Sequence, residues 1–98
     1  LMTDTDAKRM ECSITGRVQG VGFRHFTRRT AGQLAGVTGW VKNEPDGSVS
    51  LVAEGPPEQL EQLHEAVQEG PRAARVQSVE KTMKPATGEF DEFTVRFT

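Results

Sequence analysis

Met10-Glu11-Cys12-Ser13-Ile14-Thr15-Gly16-Arg17-Val18-Gln19-Gly20-Val21-Gly22-Phe23-Arg24-His25-Phe26 changes its hydrophobic period midway, and that change decides the fold. Met10, Cys12, Ile14 and Val18 alternate with Glu11, Ser13, Thr15 and Arg17, the period of two that marks a strand with one buried face. Glycines follow at 16, 20 and 22. Past them the spacing becomes helical: Phe23, Phe26, Thr30 and Leu34 share one face, and Gly36 supplies a stop.

Working outward, Val37 to Lys42 has the bulky apolar content of a second strand, and Asn43-Glu44-Pro45-Asp46-Gly47 carries turn chemistry, Pro fixing φ and Gly accepting a positive one. Val49, Leu51 and Ala53 then alternate, so the two strands read as a hairpin. Gly55-Pro56-Pro57 opens a second helix that turns Leu60, Leu63 and Val67 inward and ends at Gly70-Pro71. Val76, Val79 and Met83 mark a fourth strand whose parity slips between Val76 and Val79, which predicts a bulge or an irregular start. Phe93, Val95 and Phe97 alternate with Thr94, Arg96 and Thr98 in a last strand.

The order β-α-β-β-α-β plus one strand is the split βαβ, or ferredoxin-like, arrangement of the α+β class. It predicts an antiparallel sheet with two helices on one face and an additional C-terminal strand. Right-handed crossovers bring the glycine loop and Asn43, each leaving the end of its strand, to the same edge of that sheet. Ninety-eight residues make one domain, assigned to 9–98, and the polar, aperiodic stretch 1–8 is assigned to a disordered tail.

Composition narrows the function. With 35% hydrophobic and 27% charged residues the chain reads as globular. No apolar run approaches the ~18 to 20 residues of a bilayer crossing, and no secretory signal is visible, so no membrane partner and a cytoplasmic location are expected. Cys12 is the single cysteine and cannot form an internal disulfide; beside it, His25 and His64 make no metal-ligand cluster, so neither a metal nor a cofactor is expected. A net charge of -2 argues against general nucleic-acid binding. Charge is nonetheless segregated: Arg17, Arg24, Arg28 and Arg29 form a positive end, while Glu54 to Glu69 holds five Glu and no Lys or Arg. A small chain with a polar surface is expected to be a monomer.

A glycine-rich loop entering a helix offers unpaired N–H groups and a positive helix end, both suited to an anion, and small residues let a phosphate approach. The alternative is that the glycines only turn the chain. Their spacing fits neither G-x-G-x-x-G nor G-x-x-x-x-G-K-[ST], which excludes dinucleotide and P-loop readings. Arg24 sits in the first helical turn, where a cation is disfavoured unless an anion lies between it and the helix end, making it a candidate phosphate ligand. The bland reading, a solvated arginine, suits Arg28 and Arg29. His25 reads as solvated, His64 as surface, Cys12 as core, Trp40 and Phe23 as packing supports, and Glu44 and Asp46 as turn residues.

The segment Gly16 to Arg24, followed by Gly39-Trp40-Val41-Lys42-Asn43 with Gly47 and Val49 behind it, resembles the acylphosphatase family. The similarity runs from about Met10 to Phe97, with both segments in order and at the family's separation. It implies a ferredoxin-like sandwich that hydrolyses the carboxyl-phosphate anhydride of small acyl phosphates to a carboxylate and inorganic phosphate without metal or cofactor. It further implies that the loop Gly16, Arg17, Val18, Gln19, Gly20, Val21 and Gly22 holds the phosphate together with Arg24, and that Asn43 orients the attacking water. Gly22 stands where several animal members carry cysteine. In some members the final carboxylate lies near the arginine; here the chain runs one residue past Phe97, to Thr98.

Such a reaction needs positioning and charge stabilisation more than a protein nucleophile. A leaving carboxylate of pKa about 4 to 5 also needs no general acid. Recognition would concentrate on the phosphate and leave the acyl group in solvent, so broad specificity is expected. The competing reading is a non-catalytic phosphate- or anion-binding regulatory module of the same fold. RNA-binding and metallochaperone versions of the fold are disfavoured by the absence of an aromatic RNP-type run and of C-x-x-C.

Overall fold

The computed structural model describes residues 6–97, and its first strand, β1 (Lys8–Arg17), turns the opening alternation into a buried row of Met10, Cys12 and Ile14. There follow α1 (Phe23–Gly32), β2 (Thr38–Asn43), β3 (Val49–Gly55), α2 (Pro57–Glu69), β4 (Arg75–Pro85) and β5 (Phe93–Arg96). β1 begins at Lys8, within the stretch assigned to the tail, whose residues 1–5 lie outside the described ones.

The sheet order is β4-β1-β3-β2-β5. β1 pairs antiparallel with β3 and β4, and β2 pairs antiparallel with β3. The expectation of an antiparallel sheet needs one correction, because β5 runs parallel to β2 and the sheet is mixed. The cause is the path of the chain. β4 ends at Pro85 beside Lys8, the link 86–92 passes under the strand ends, and β5 starts from the same end as β2, where Gly39 donates its N–H to the Glu92 carbonyl at 3.0 Å.

α1 lies against β2 and β5, and α2 against β1, β3 and β4. In α2, Leu60, Leu63 and Val67 are buried, as their spacing predicts. In α1 the buried row is Phe23, Thr27 and Ala31, rotated from the predicted Phe23, Phe26, Thr30 and Leu34. Small side chains at 27 and 31 let the helix approach the sheet, while Phe26 and Leu34 pack at its flanks, half-buried. The Thr27 hydroxyl keeps its hydrogen bond there by donating to the Phe23 carbonyl at 2.9 Å. Each fully buried apolar side chain, such as Ile14, Leu51 or Leu63, contributes about 1.5–3 kcal/mol. Burial pushes the Cys12 thiol up to about 11, against a smaller opposing pull from Lys81, so the thiolate is suppressed.

The parity slip in β4 is a bulge: Thr15 faces Ser78 and Gly16 faces Val76, which leaves Gln77 unmatched. Gly16 adopts φ 124°, and a Cβ there would lie 2.2 Å from the Arg75 carbonyl oxygen. Only glycine fits.

At the end of the sheet where β2 and β5 begin, Glu54 is 4% exposed, a carboxylate among strand ends. It accepts hydrogen bonds from the N–H groups of Thr87 at 3.1 Å and Gly88 at 2.9 Å, from the Thr87 hydroxyl at 2.8 Å, and from Arg9 Nη1 at 3.0 Å. Burial pushes the Glu54 carboxyl up, but these donors outweigh it and hold it below the ordinary carboxylate range. Arg9 also pairs with Glu11 and Glu89 and lies 5.4 Å over the Phe90 ring.

Candidate active site

Between β1 and α1 the chain is held by Val18, which is buried, and then turns through Gly20 at φ 75° and Gly22 at φ 80°. A Cβ at either glycine would meet nothing within 4 Å, so glycine is required by the backbone angle and the space above the loop is open. Among the described residues, the N–H groups of Gln19, Gly20, Val21 and Gly22 donate to no protein acceptor. Gly22 caps α1 without a side-chain bond, and the first turn of the helix holds no acid. The result is a row of open donors at a positive helix end.

Gly16 and Arg17 are the last residues of β1, and the loop that follows runs over 18–22. The side chain of Gln19 turns away from the open space. Its Nε2 donates to the carbonyls of Glu44 at 2.8 Å and Ser48 at 2.9 Å, which ties the loop to the β2–β3 turn. Only its backbone N–H remains for an anion. Nothing in the sequence near Gln19 signals this clamp, since its acceptors are backbone groups 25 and 29 residues away.

Asn43 is the last residue of β2, opposite Val49. The turn after it is closed by Glu44 N–H to the Ser48 carbonyl at 2.8 Å and Gly47 N–H to the Glu44 carbonyl at 3.1 Å. Asp46 serves the turn, as its sequence context predicts: Oδ1 accepts from the Ser48 hydroxyl at 2.7 Å and the Ser48 N–H at 2.9 Å. These bonds hold the Asp46 carboxyl below its ordinary range. Glu44 lies 3.9 Å from Lys42. The Asn43 carboxamide makes no hydrogen bond to a described residue and stays available.

Arg24, in the first turn of α1, forms no ion pair with a described acid; its guanidinium lies 4.6 Å over the Phe97 ring. Lys42 pairs with Arg96 across the parallel strands β2 and β5, and Asn43 and Phe97 follow them in sequence at that end of the sheet. That register carries Arg24 and Asn43 to the same end of the sheet, where the glycine loop also emerges. Thr98, whose carboxylate bears on Arg24 in the sequence reading, lies outside the described residues. Among the described residues, no three His, Cys, Asp or Glu side chains converge as metal ligands.

Fold and site together define a ferredoxin-like α+β domain with a loop of open N–H groups at one end of its sheet. A family model described as Acylphosphatase matches residues 10–95. An acylphosphatase of Salinibacter ruber is 61% identical over 89 residues, covering 91% of this chain and 93% of its own. Solved structures of acylphosphatases from Bacillus subtilis and Coxiella burnetii each superpose with a TM-score of 0.87 at 35% identity, over 91% and 95% of this chain. The chain belongs to the acylphosphatase family.

Proposed function

We propose that the protein hydrolyses acyl phosphates by metal-free attack of an oriented water. The observation that carries this reading is the set of open N–H donors from Gln19 to Gly22 beside Arg24, with no described carboxylate among them. A phosphoryl dianion supplies the missing charge. The loop amides and the Arg24 fork take its equatorial oxygens, each charge-assisted hydrogen bond contributing about 1.5–3 kcal/mol. The Asn43 carboxamide, a neutral donor and acceptor, aligns a water opposite the acyl oxygen. As the P–O bond to the acyl oxygen breaks, the bond from water to phosphorus forms. The water's protons stay on the inorganic phosphate formed or pass to solvent, and the acyl group leaves as a carboxylate. These groups supply positioning and charge stabilisation, and the chemistry asks for little else.

No described helix is long and apolar enough to cross a membrane. The reading takes the protein as cytoplasmic, in keeping with a free, buried Cys12, and as a monomer on its small size and polar surface. Purified protein should accelerate the decay of benzoyl phosphate in the presence of EDTA. Decay at the spontaneous rate would reject the enzyme; activity only with added divalent metal would reject the mechanism. Phosphate binding by calorimetry without turnover would select the regulatory-module alternative.

A further inference from the structure

Arg17 and Arg75 face each other directly across β1 and β4, on the last rung before the glycine loop. Continued evenly, the register that pairs Thr15 with Ser78 would set Arg17 against Val76; the bulge skips Gln77 and brings Arg75 there instead. The same bulge turns Val76 toward the core, which accounts for the irregular backbone but not for an arginine at 75. Like charges directly opposite one another destabilise a strand pair. Both side chains are exposed, and neither joins an ion pair with a described residue; Arg75 Nη1 donates to the Ala74 carbonyl at 3.2 Å. The described ends of the chain lie elsewhere, Asp6 before the far end of β1 and Phe97 after β5 on the opposite edge of the sheet.

Resting on the functional reading above, we propose that Arg17 and Arg75 form a subsite for a negative charge on the acyl group, so that this chain prefers acyl phosphates whose acyl part carries a further carboxylate or phosphate. In-line displacement sets the attacking water and the leaving oxygen on opposite sides of phosphorus. Asn43, the proposed holder of the water, ends β2, and the order β4-β1-β3-β2-β5 puts β2 and β4 on opposite sides of β1. An acyl group leaving a phosphate held on the loop after β1 therefore departs toward β4, the strand that carries Arg75. Two guanidinium forks side by side match the oxygens of a carboxylate or phosphate. An anion bound between them also removes the repulsion that their register imposes.

The test compares succinyl phosphate, which has a free carboxylate, with butyryl phosphate, of the same chain length, in the full wild-type chain, Arg75→Gln and Arg75→Glu. Wild type should favour succinyl phosphate in kcat/KM by about three- to tenfold, chiefly through KM. That preference should fall from wild type to Arg75→Gln and again to Arg75→Glu, while Tm holds or rises along the series as the repulsion with Arg17 is relieved. A wild type indifferent to the carboxylate would overturn the proposal, as would a preference undiminished in Arg75→Gln. The same fractional loss on both substrates would also overturn it, since that is general attraction of anions to a positive end and not a subsite. Wild-type protein that hydrolyses neither compound would instead bring down the functional reading, and this inference with it.

Discussion

The two ends of the sheet are built from the same parts. At one, Arg9 lies over Phe90 and joins the N–H groups of Thr87 and Gly88 on the carboxylate of Glu54. At the other, Arg24 lies over Phe97 beside the N–H groups of Gln19 to Gly22, and no described carboxylate closes the set. An arginine, a ring and a run of loop amides therefore make a finished structural joint where Glu54 joins them, and on the proposed reading a site for a phosphate where no described carboxylate does. Electrostatics tell the same story. The saturated end depresses the Glu54 carboxyl despite burial and raises Arg9 beyond its ordinary value, both signs of charges satisfied by each other.

If this contrast is right, mutations at the two ends should separate stability from activity. Removing Arg24 has the largest expected effect: Arg24→Ala should lower kcat/KM for benzoyl phosphate by about a thousandfold, with Tm little changed. Arg24→Lys should recover little of it, since the planar fork is lost. Glu54→Ala should do the opposite. It leaves Arg9 and two loop N–H groups without their anion and should cost about 3 kcal/mol in urea unfolding, while the folded fraction keeps its specific activity. Glu54→Ala protein that keeps its stability but loses turnover would break the division. Asn43→Ala should reduce kcat by about a hundredfold and leave inhibition by phosphate intact, which distinguishes aligning water from gripping phosphate.

The smallest effect is in pH. Glu54 and Glu11 are both held below their ordinary value of 4.5, so their contribution is fully present above that pH and is lost as pH falls through the folded-state values. Unfolding free energy should therefore decline on the acid side, and the gap between wild type and Glu54→Gln should narrow there. A gap that held constant down to pH ~3 would contradict the depressed carboxyl.

Local sequence patterns carry much of this fold. Met10, Cys12 and Ile14 announce β1, the slip between Val76 and Val79 announces the bulge, and Asn43 to Gly47 announces the turn, because each signal depends on neighbours in sequence. Gly20 and Gly22 were legible for the same reason. Three features were not. Glu54 reads as an ordinary polar residue at a strand end, since its partners lie 33 to 45 positions away. The parallel pairing of β5 depends on where the 86–92 link travels, which no local pattern encodes. The buried face of α1 is set by how closely Thr27 and Ala31 allow the helix to approach, and the larger Phe26 and Leu34 dominate a reading based on hydrophobicity alone.

One side-chain amide, that of Gln19, spans from the glycine loop to two carbonyls of the neighbouring turn. It works as a non-covalent crosslink between the part of the surface where phosphorus would rest and the part from which water would approach. On the proposed reading this tie keeps the line of attack fixed, because neither segment can shift without breaking the Gln19 hydrogen bonds.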